Sequence, residues 1–467
     1  MSVPTWVQDS IFYQIFPDRF SNGHPENDPK SVVPWNSAPT NTSFHGGDLK
    51  GIIDRMYYLL DLGINAIYLN PIFLSPSNHR YNAIDYFLID PKLGTRVEFL
   101  TLLDVAHRNE MKVILDGVFN HCGRGFFAFN DILENQVASP YLDWFHITKF
   151  PVDAYSPGES TTYEAWWKYK SLPKFNTSNP DVQKYILKVA RYWIEQGIDG
   201  WRLDVPNEID DDGFWMRFRY EVKSANPDAY LVGEIWDGDP RWVGEGHFDG
   251  LMNYPLRTMI INLLTTKSSV SKFVKEYQKW QGIYPQENLF AMYNLLGSHD
   301  TERFLTMLNG SQKKAKLGYL IQFMLCGAPA IYYGDEIGIL GEGDPDCRRA
   351  FEWDESKWDS TLRDWIKQLI RLRKEKACLS RGKLTMIDTK DQSEVLAFFR
   401  ETDHEGAIVA INLSDSNGQI EVDVENTQLR NCYRLRNLLA AEKYTIENHK
   451  INIQLPRMSG VVLYPEY

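Results

Sequence analysis

Three carboxylic acids in this sequence stand where a carboxyl is costly to place. Asp204 ends the run Gly200-Trp201-Arg202-Leu203-Asp204. Glu234 ends Tyr230-Leu231-Val232-Gly233-Glu234, and Asp300 ends Tyr293-Asn294-Leu295-Leu296-Gly297-Ser298-His299-Asp300. Each run reads as a short β-strand. A carboxylate that closes an apolar strand must be paired or used, because its desolvation is otherwise expensive. Three such groups at strand ends, separated by helical stretches, imply one acidic pocket at the mouth of a barrel. That pocket suits cleavage of a glycosidic bond, which needs an ionised carboxylate below the anomeric carbon and a protonated one beside the leaving oxygen.

The neighbours of each acid suggest its role. Arg202 lies two residues before Asp204, so on a strand both face the same side. Its guanidinium would keep Asp204 ionised and fix its orientation, as a nucleophile requires. Glu234 sits between Gly233 and Ile235-Trp236, a partly apolar setting that raises a carboxyl pKa and suits a general acid. Asp300 would grip ring hydroxyls more tightly as positive charge develops on the sugar, with His299 and His121 as neutral hydrogen-bonding partners. Taken singly, an Arg-x-Asp on a strand is most often a structural ion pair. The order and placement of the whole set carry the chemistry.

The elements that must position these residues are legible as an alternation. Strand-like apolar runs fall at 11–16, 66–69, 113–116, 200–204, 230–234, 248–252, 293–298 and 330–333. Short strands apolar on both faces are what a buried parallel sheet needs. Between them, 179–196 reads as a helix: Asn179 is a good N-cap, Pro180 suits the first helical position, and Val182, Tyr185, Ile186, Val189, Trp193 and Ile194 form one apolar stripe before Gly197. Further helices are expected at 49–62, 97–108 and 362–373. Eight such repeats predict an α/β fold, a (β/α)8 TIM barrel built from residues 1–120 and 177–377. The aromatic, Pro- and Gly-rich stretch 121–176 is too long for a bare loop and reads as an inserted subdomain after strand three. From 378 to 467 the pattern changes to short β-like runs (395–399, 407–412, 420–424, 451–455 and 461–464), predicting a C-terminal antiparallel β-sandwich.

Bulk properties exclude other classes. The 467-residue chain is large enough for a substantial core, and its 43% hydrophobic and 24% charged content is ordinary for a globular protein. A formal net charge of −12 argues against nucleic acid or an anionic membrane as partner. No apolar run approaches the length of a membrane span. The five cysteines, Cys122, Cys326, Cys347, Cys378 and Cys432, form neither a disulfide framework nor a zinc motif. With no leader visible at the N-terminus, a cytoplasmic location is expected. The 14 Trp, 25 Tyr and 24 Phe exceed what most chains carry; most are expected in the core, and a minority as flat platforms for sugar rings.

These motifs together resemble the α-amylase superfamily, glycoside hydrolase family 13, over nearly the whole chain. Asp116-Gly117-Val118-Phe119-Asn120-His121 matches the first family motif, whose His binds substrate. The segment 200–208, including Val205-Pro206-Asn207-Glu208, matches the second, with its nucleophilic Asp and its Arg. Val232-Gly233-Glu234-Ile235-Trp236 matches the acid/base motif, and 295–303 the last, where His and Asp stabilise the transition state. Tyr332-Tyr333-Gly334-Asp335-Glu336 follows the eighth strand as in the family. Leu172-Pro173-Lys174-Phe175-Asn176 resembles the Met-Pro-Lys-Leu-Asn signature of the neopullulanase, cyclomaltodextrinase and maltogenic amylase branch. Within that branch the resemblance implies that Tyr81 stacks under the sugar at the cleavage subsite. It also implies that Asp344 and Arg348 hold sugar hydroxyls, and Trp236 is a candidate platform on the leaving-group side.

The resemblance further implies a structural Ca²⁺, held by side chains of Asn22, Asn27, Asp28 and Asp48 with backbone carbonyls near His24 and Gly46, an oxygen-rich set suited to a hard cation. The central calcium of other amylases is not expected, since Asn207-Glu208 stands where those enzymes carry Lys-His. The branch's extra N-terminal β-domain is not expected in this sequence, where strand one starts near residue 11. The expected activity is a retaining hydrolase of α-1,4 glucosidic bonds in cyclodextrins and maltooligosaccharides, with α-1,6 bonds left open, proceeding through a glycosyl–Asp204 intermediate. Transglycosylation or debranching with the same residues is the alternative, because retaining chemistry lets a sugar hydroxyl replace water. No organic cofactor is expected, and monomer or homo-oligomer is left open.

Overall fold

Strands β1 (Phe12–Ile15), β2 (Ala66–Leu69), β3 (Lys112–Gly117), β4 (Gly200–Leu203), β5 (Tyr230–Gly233), β6 (Gly250–Leu251), β7 (Tyr293–Leu295) and β8 (Ala328–Tyr332) form one parallel sheet in the order β6-β5-β4-β3-β2-β1-β8-β7. A parallel bridge between Met252 and Tyr293 joins the two ends, so the sheet closes into a barrel. The structure, a computed structural model, describes residues 2–389 and 394–466.

The period-two alternation of each strand sorts its side chains. Tyr13, Ile67, Leu69, Val113, Leu115, Trp201, Leu203 and Leu231 face outward into the core shared with the helices. Phe12, Ala66, Tyr68, Ile114, Tyr230, Val232, Tyr293 and Leu295 fill the lumen. The inward positions next along these strands, toward their C-terminal ends, are Gln14, Asn70, Asp116, Arg202, Asp204 and Glu234. The lumen is therefore apolar below and polar at its mouth. Register keeps the polar layer level: Asp116 pairs with Arg202, and Arg202 with Val232.

The helix expected at 179–196 is α4 (Pro180–Glu195), following α1 (Leu49–Asp54), α2 (Met56–Leu62) and α3 (Arg96–Arg108). The Asn179 side chain accepts from the N–H groups of Asp181 and Val182. Val182, Ile186, Val189, Ala190, Trp193 and Ile194 are buried, and each large side chain of this stripe contributes roughly 1.5–3 kcal/mol. A Thr95/Glu98 capping box starts α3. The single helix expected at 49–62 is instead two segments, broken at Arg55 (φ −99°, ψ 10°), whose guanidinium lies 3.9 Å over the Trp353 ring. The sixth and seventh strands are shorter than the expected 248–252 and 293–298.

The excursion between β3 and α4 carries one helix, Phe127–Asn135, and little other regular structure. Isolated bridges tie it together, His121 to Lys174, Phe145 to Phe175, Ile147 to Tyr163 and Ala165 to Pro173. After helix Ser360–Glu375, eight antiparallel strands follow among the described residues rather than the five anticipated. Six form one sheet and two, Gly418–Asp423 with Lys450–Leu455, form a second. An apolar layer that includes Ile408, Ala410, Val422, Ile451, Ile453 and Leu463 lies between them. The strands missed in the sequence, among them Lys383–Met386 and Lys443–Thr445, are short and largely exposed, so hydrophobicity does not mark them. Among the described residues no helix is long and apolar enough to cross a membrane.

Candidate active site

Asp204 and Glu234 directly follow β4 and β5, whereas Asp300 lies in the loop five residues beyond β7 rather than at a strand end, yet the three carboxyls belong to one continuous polar network. Arg202 Nη1 lies 2.8 Å from Asp204 Oδ1 and 2.8 Å from Asp116 Oδ1, and its Nη2 lies 2.8 Å from Glu234 Oε1. One guanidinium thus pairs with both Asp204 and Glu234, a nucleophile and an acid/base being the two carboxyls a double displacement needs. Asp116 Oδ2 accepts from the hydroxyls of Tyr68 (2.6 Å) and Tyr81 (2.8 Å). The Tyr81 hydroxyl is 2.5 Å from His299 Nε2, which in turn lies 3.1 Å from Asp300 Oδ2. Arg348 holds the far side, with Nη2 3.3 Å from Asp300 Oδ1, Nη1 2.9 Å from Asp344 Oδ1, and Nε donating to the His299 carbonyl at 2.9 Å.

Burial decides the protonation states. Desolvation pushes Glu234 up to about 7, and the Asp300 charge adds to the rise. The Arg202 charge and the Val205 N–H oppose it. Desolvation also raises Asp204 well above its usual value, against the pull of Arg202 and with the Glu234 charge adding to the rise; the guanidinium lies 2.8 Å from each of the two carboxyls. His121 is pushed down to about 3 and His299 well below its usual value, mainly by burial, so both imidazoles are neutral. The Gln14 amide nitrogen lies 2.9 Å from His299 Nδ1 and donates there, which places the ring proton on Nε2, toward Tyr81 and Asp300.

Backbone strain lies next to the chemistry. Val205, immediately after Asp204, adopts φ 35°, ψ 52°, a left-handed conformation unfavourable for a β-branched side chain. Its N–H donates to Glu234 Oε2 at 3.1 Å, so the strained peptide orients the second carboxyl.

Other expected residues take distinct places. The Tyr81 ring is parallel to His299 (centroids 5.3 Å, 2°). Trp236 is half exposed and stacks on Tyr254 at 3.8 Å. The ring of His121 stacks on Trp166, and its Nε2 is buried with no hydrogen-bond partner. Three residues escaped the sequence reading as site members: Gln14, Asn70 and Asp116, all buried. Asp116 ends an apolar strand just as Asp204 does, and that signal could have marked it. For Gln14 a polar group inside an apolar strand run is the sign, and for Asn70 a polar residue directly after one.

The oxygen-rich loops after β1 fit a hard cation in part. The side-chain oxygens of Asn22 and Asn27 are buried without partners, and the Asp28 carboxylate accepts from Asn22 Nδ2 at 3.0 Å through both oxygens. Gly46 has φ 83°, and a Cβ there would stand 2.3 Å from Asp28 Oδ1. The Asp48 carboxylate is already satisfied by the N–H groups of Gly23, His24 and Gly51 and by Asn27 Nδ2, and it caps α1. The His24 ring turns away to Glu26 and Glu98. Among the described residues no three His, Cys, Asp or Glu side chains gather to hold a metal, so the donors available here are amide and carbonyl oxygens with Asp28.

Residues 14–378 match the family described as "Alpha amylase, catalytic domain". The chain is similar to a cyclomaltodextrinase of Geobacillus thermopakistaniensis strain MAS1, 44% identical over 464 residues, 99% of this chain and 77% of that protein. It is similar to neopullulanase 2 of Thermoactinomyces vulgaris, 46% identical over 88% of this chain and 70% of that one. Among solved structures it resembles cyclic α-maltosyl-(1→6)-maltose hydrolase from Arthrobacter globiformis in complex with that sugar, with a TM-score of 0.90 and 38% identity, covering 99% of this chain and 100% of that one.

Proposed function

Since this chain belongs to the alpha-amylase family of glycoside hydrolases, we propose that it hydrolyses α-1,4 glucosidic bonds of cyclodextrins and maltooligosaccharides with retention, with Asp204 as nucleophile and Glu234 as acid and base. The observation that carries this reading is the unbroken network joining Asp204, Glu234 and Asp300 through Arg202, Asp116, Tyr81 and His299. Asp204 attacks the anomeric carbon while Glu234 gives its proton to the leaving oxygen. Water then attacks the glycosyl–Asp204 ester and returns a proton to Glu234. Asp300 and Arg348 grip sugar hydroxyls, and Tyr81 stacks below the ring. A half-exposed Trp236 beside Glu234 offers an acceptor-side face, which also suits transfer to a second sugar in place of water.

Asn22, Asn27 and Asp28, with backbone carbonyls near His24 and Gly46, would hold a Ca²⁺ that pins the loops after β1 and leaves the reaction itself to the carboxyls. All five cysteines are free thiols, which suits work in a reducing cytoplasm on imported oligosaccharides. The test is a product profile across β-cyclodextrin, starch, pullulan and maltotriose. Glucose and maltose from maltotriose mean hydrolysis, longer oligomers mean transfer, and pullulan products report the α-1,6 capacity. No reducing sugar from any of the four would overturn the proposal.

A further inference from the structure

Trp167 is displayed at a conformational cost. It is 72% exposed, with φ 45°, ψ 30°, and the next residue, Lys168, also has a positive φ of 62°. Two successive non-glycine residues in the left-handed region persist only where their surroundings over-determine them. Here Trp166 N donates to Leu172 O at 3.0 Å, Lys168 N to Ala165 O at 3.0 Å, and Ser160 N to Lys168 O at 2.8 Å. The backbone is clamped so that an indole faces water, although burying it would be favourable.

The indole is not isolated from the site. Trp167 stacks on Trp166 with centroids 4.7 Å apart and planes 8° apart, and Trp166 stacks on His121 at 5.5 Å and 25°. A ladder of flat rings thus leads from His121, just after β3, to the surface of the excursion. Among the described residues Trp166 is the only ring that Trp167 meets, so its other face is open.

We propose that Trp167 is a sugar platform, its free face stacking on a glucosyl unit remote from the bond being cleaved, so that longer α-glucans are favoured over short ones. This rests on the α-glucan reading above and adds a length preference to it. The experiment compares kcat/KM for maltohexaose and maltotriose in the wild type, Trp167→Ala and Trp167→Tyr. The hexaose-to-triose ratio is expected to fall about tenfold in the Ala variant, equivalent to about 1.4 kcal/mol, and to recover in the Tyr variant, which restores a flat ring. As a binding readout independent of turnover, the affinity for maltohexaose, followed by tryptophan fluorescence in the Asp204→Asn background, should weaken about tenfold when Trp167→Ala is added. An unchanged ratio, an equal loss on both substrates, or no recovery with Tyr would overturn the platform alone. A wild type that cleaves neither sugar would overturn both this inference and the reading it rests on.

Discussion

Glu234→Gln should make the protein inactive and, above neutral pH, more stable. Glu234 is 3% exposed and its pKa is pushed up to about 7, from the ordinary 4.5, chiefly by burial. A carboxyl whose folded pKa exceeds its unfolded one favours folding at low pH, where both states are protonated. That advantage is lost as pH rises from 4.5 through about 7, because the unfolded chain gives up its proton first. The difference of 2.5 units, at about 1.36 kcal/mol each, amounts to about 3 kcal/mol. Gln occupies the same space without charge, mimicking the protonated acid. The stability gained by the variant over wild type should therefore be small at pH 4.5 and grow to about 3 kcal/mol by pH 8. Equilibrium urea unfolding followed by tryptophan fluorescence at both pH values measures it. In the same preparations, wild-type kcat/KM should decline as pH rises past about 7, and the variant should lose roughly 100- to 10,000-fold in rate. A stability difference independent of pH would refute the claim that burial holds this proton.

Asp204→Asn should lower turnover at least roughly a thousandfold with the circular dichroism spectrum unchanged, and substantial residual activity would remove Asp204 as nucleophile. Tyr81→Phe deletes the hydroxyl shared by Asp116, His299 and Asn70. Loss of a hydrogen bond to a charged group is worth about 1.5–3 kcal/mol, so kcat/KM should drop roughly 10- to 100-fold; an unaltered value would mean the network is not used. Chelation should lower Tm and millimolar Ca²⁺ restore it, the bound ion adding about 2.7 kcal/mol of stability at a hundredfold excess over Kd. Asn22→Ala should abolish that response, and a wild-type Tm indifferent to calcium would dismiss the cation.

What the sequence determined by itself is local. An acid at the end of an apolar strand is conspicuous because the strands of a closed parallel barrel are apolar on both faces, so Asp204 and Glu234 stand out with no neighbour known, and Asp300 does so at the end of an apolar run of which only the first part is strand. The α4 helix was equally legible, since its cap, its Pro180 and its stripe all lie within one segment. Tertiary structure alone decided what is nonlocal. That a single guanidinium serves Asp116, Asp204 and Glu234 depends on the register of β3, β4 and β5. Gln14 and Asn70 became site residues only because β1 and β2 carry them to the same level of the lumen. Trp166 and Trp167 are neighbours of one type in the sequence, and only the clamped left-handed backbone turns one toward His121 and the other to water. Burial and charge pairing are sums over elements far apart in the chain, so protonation states such as that of Glu234 emerge only once those elements are packed.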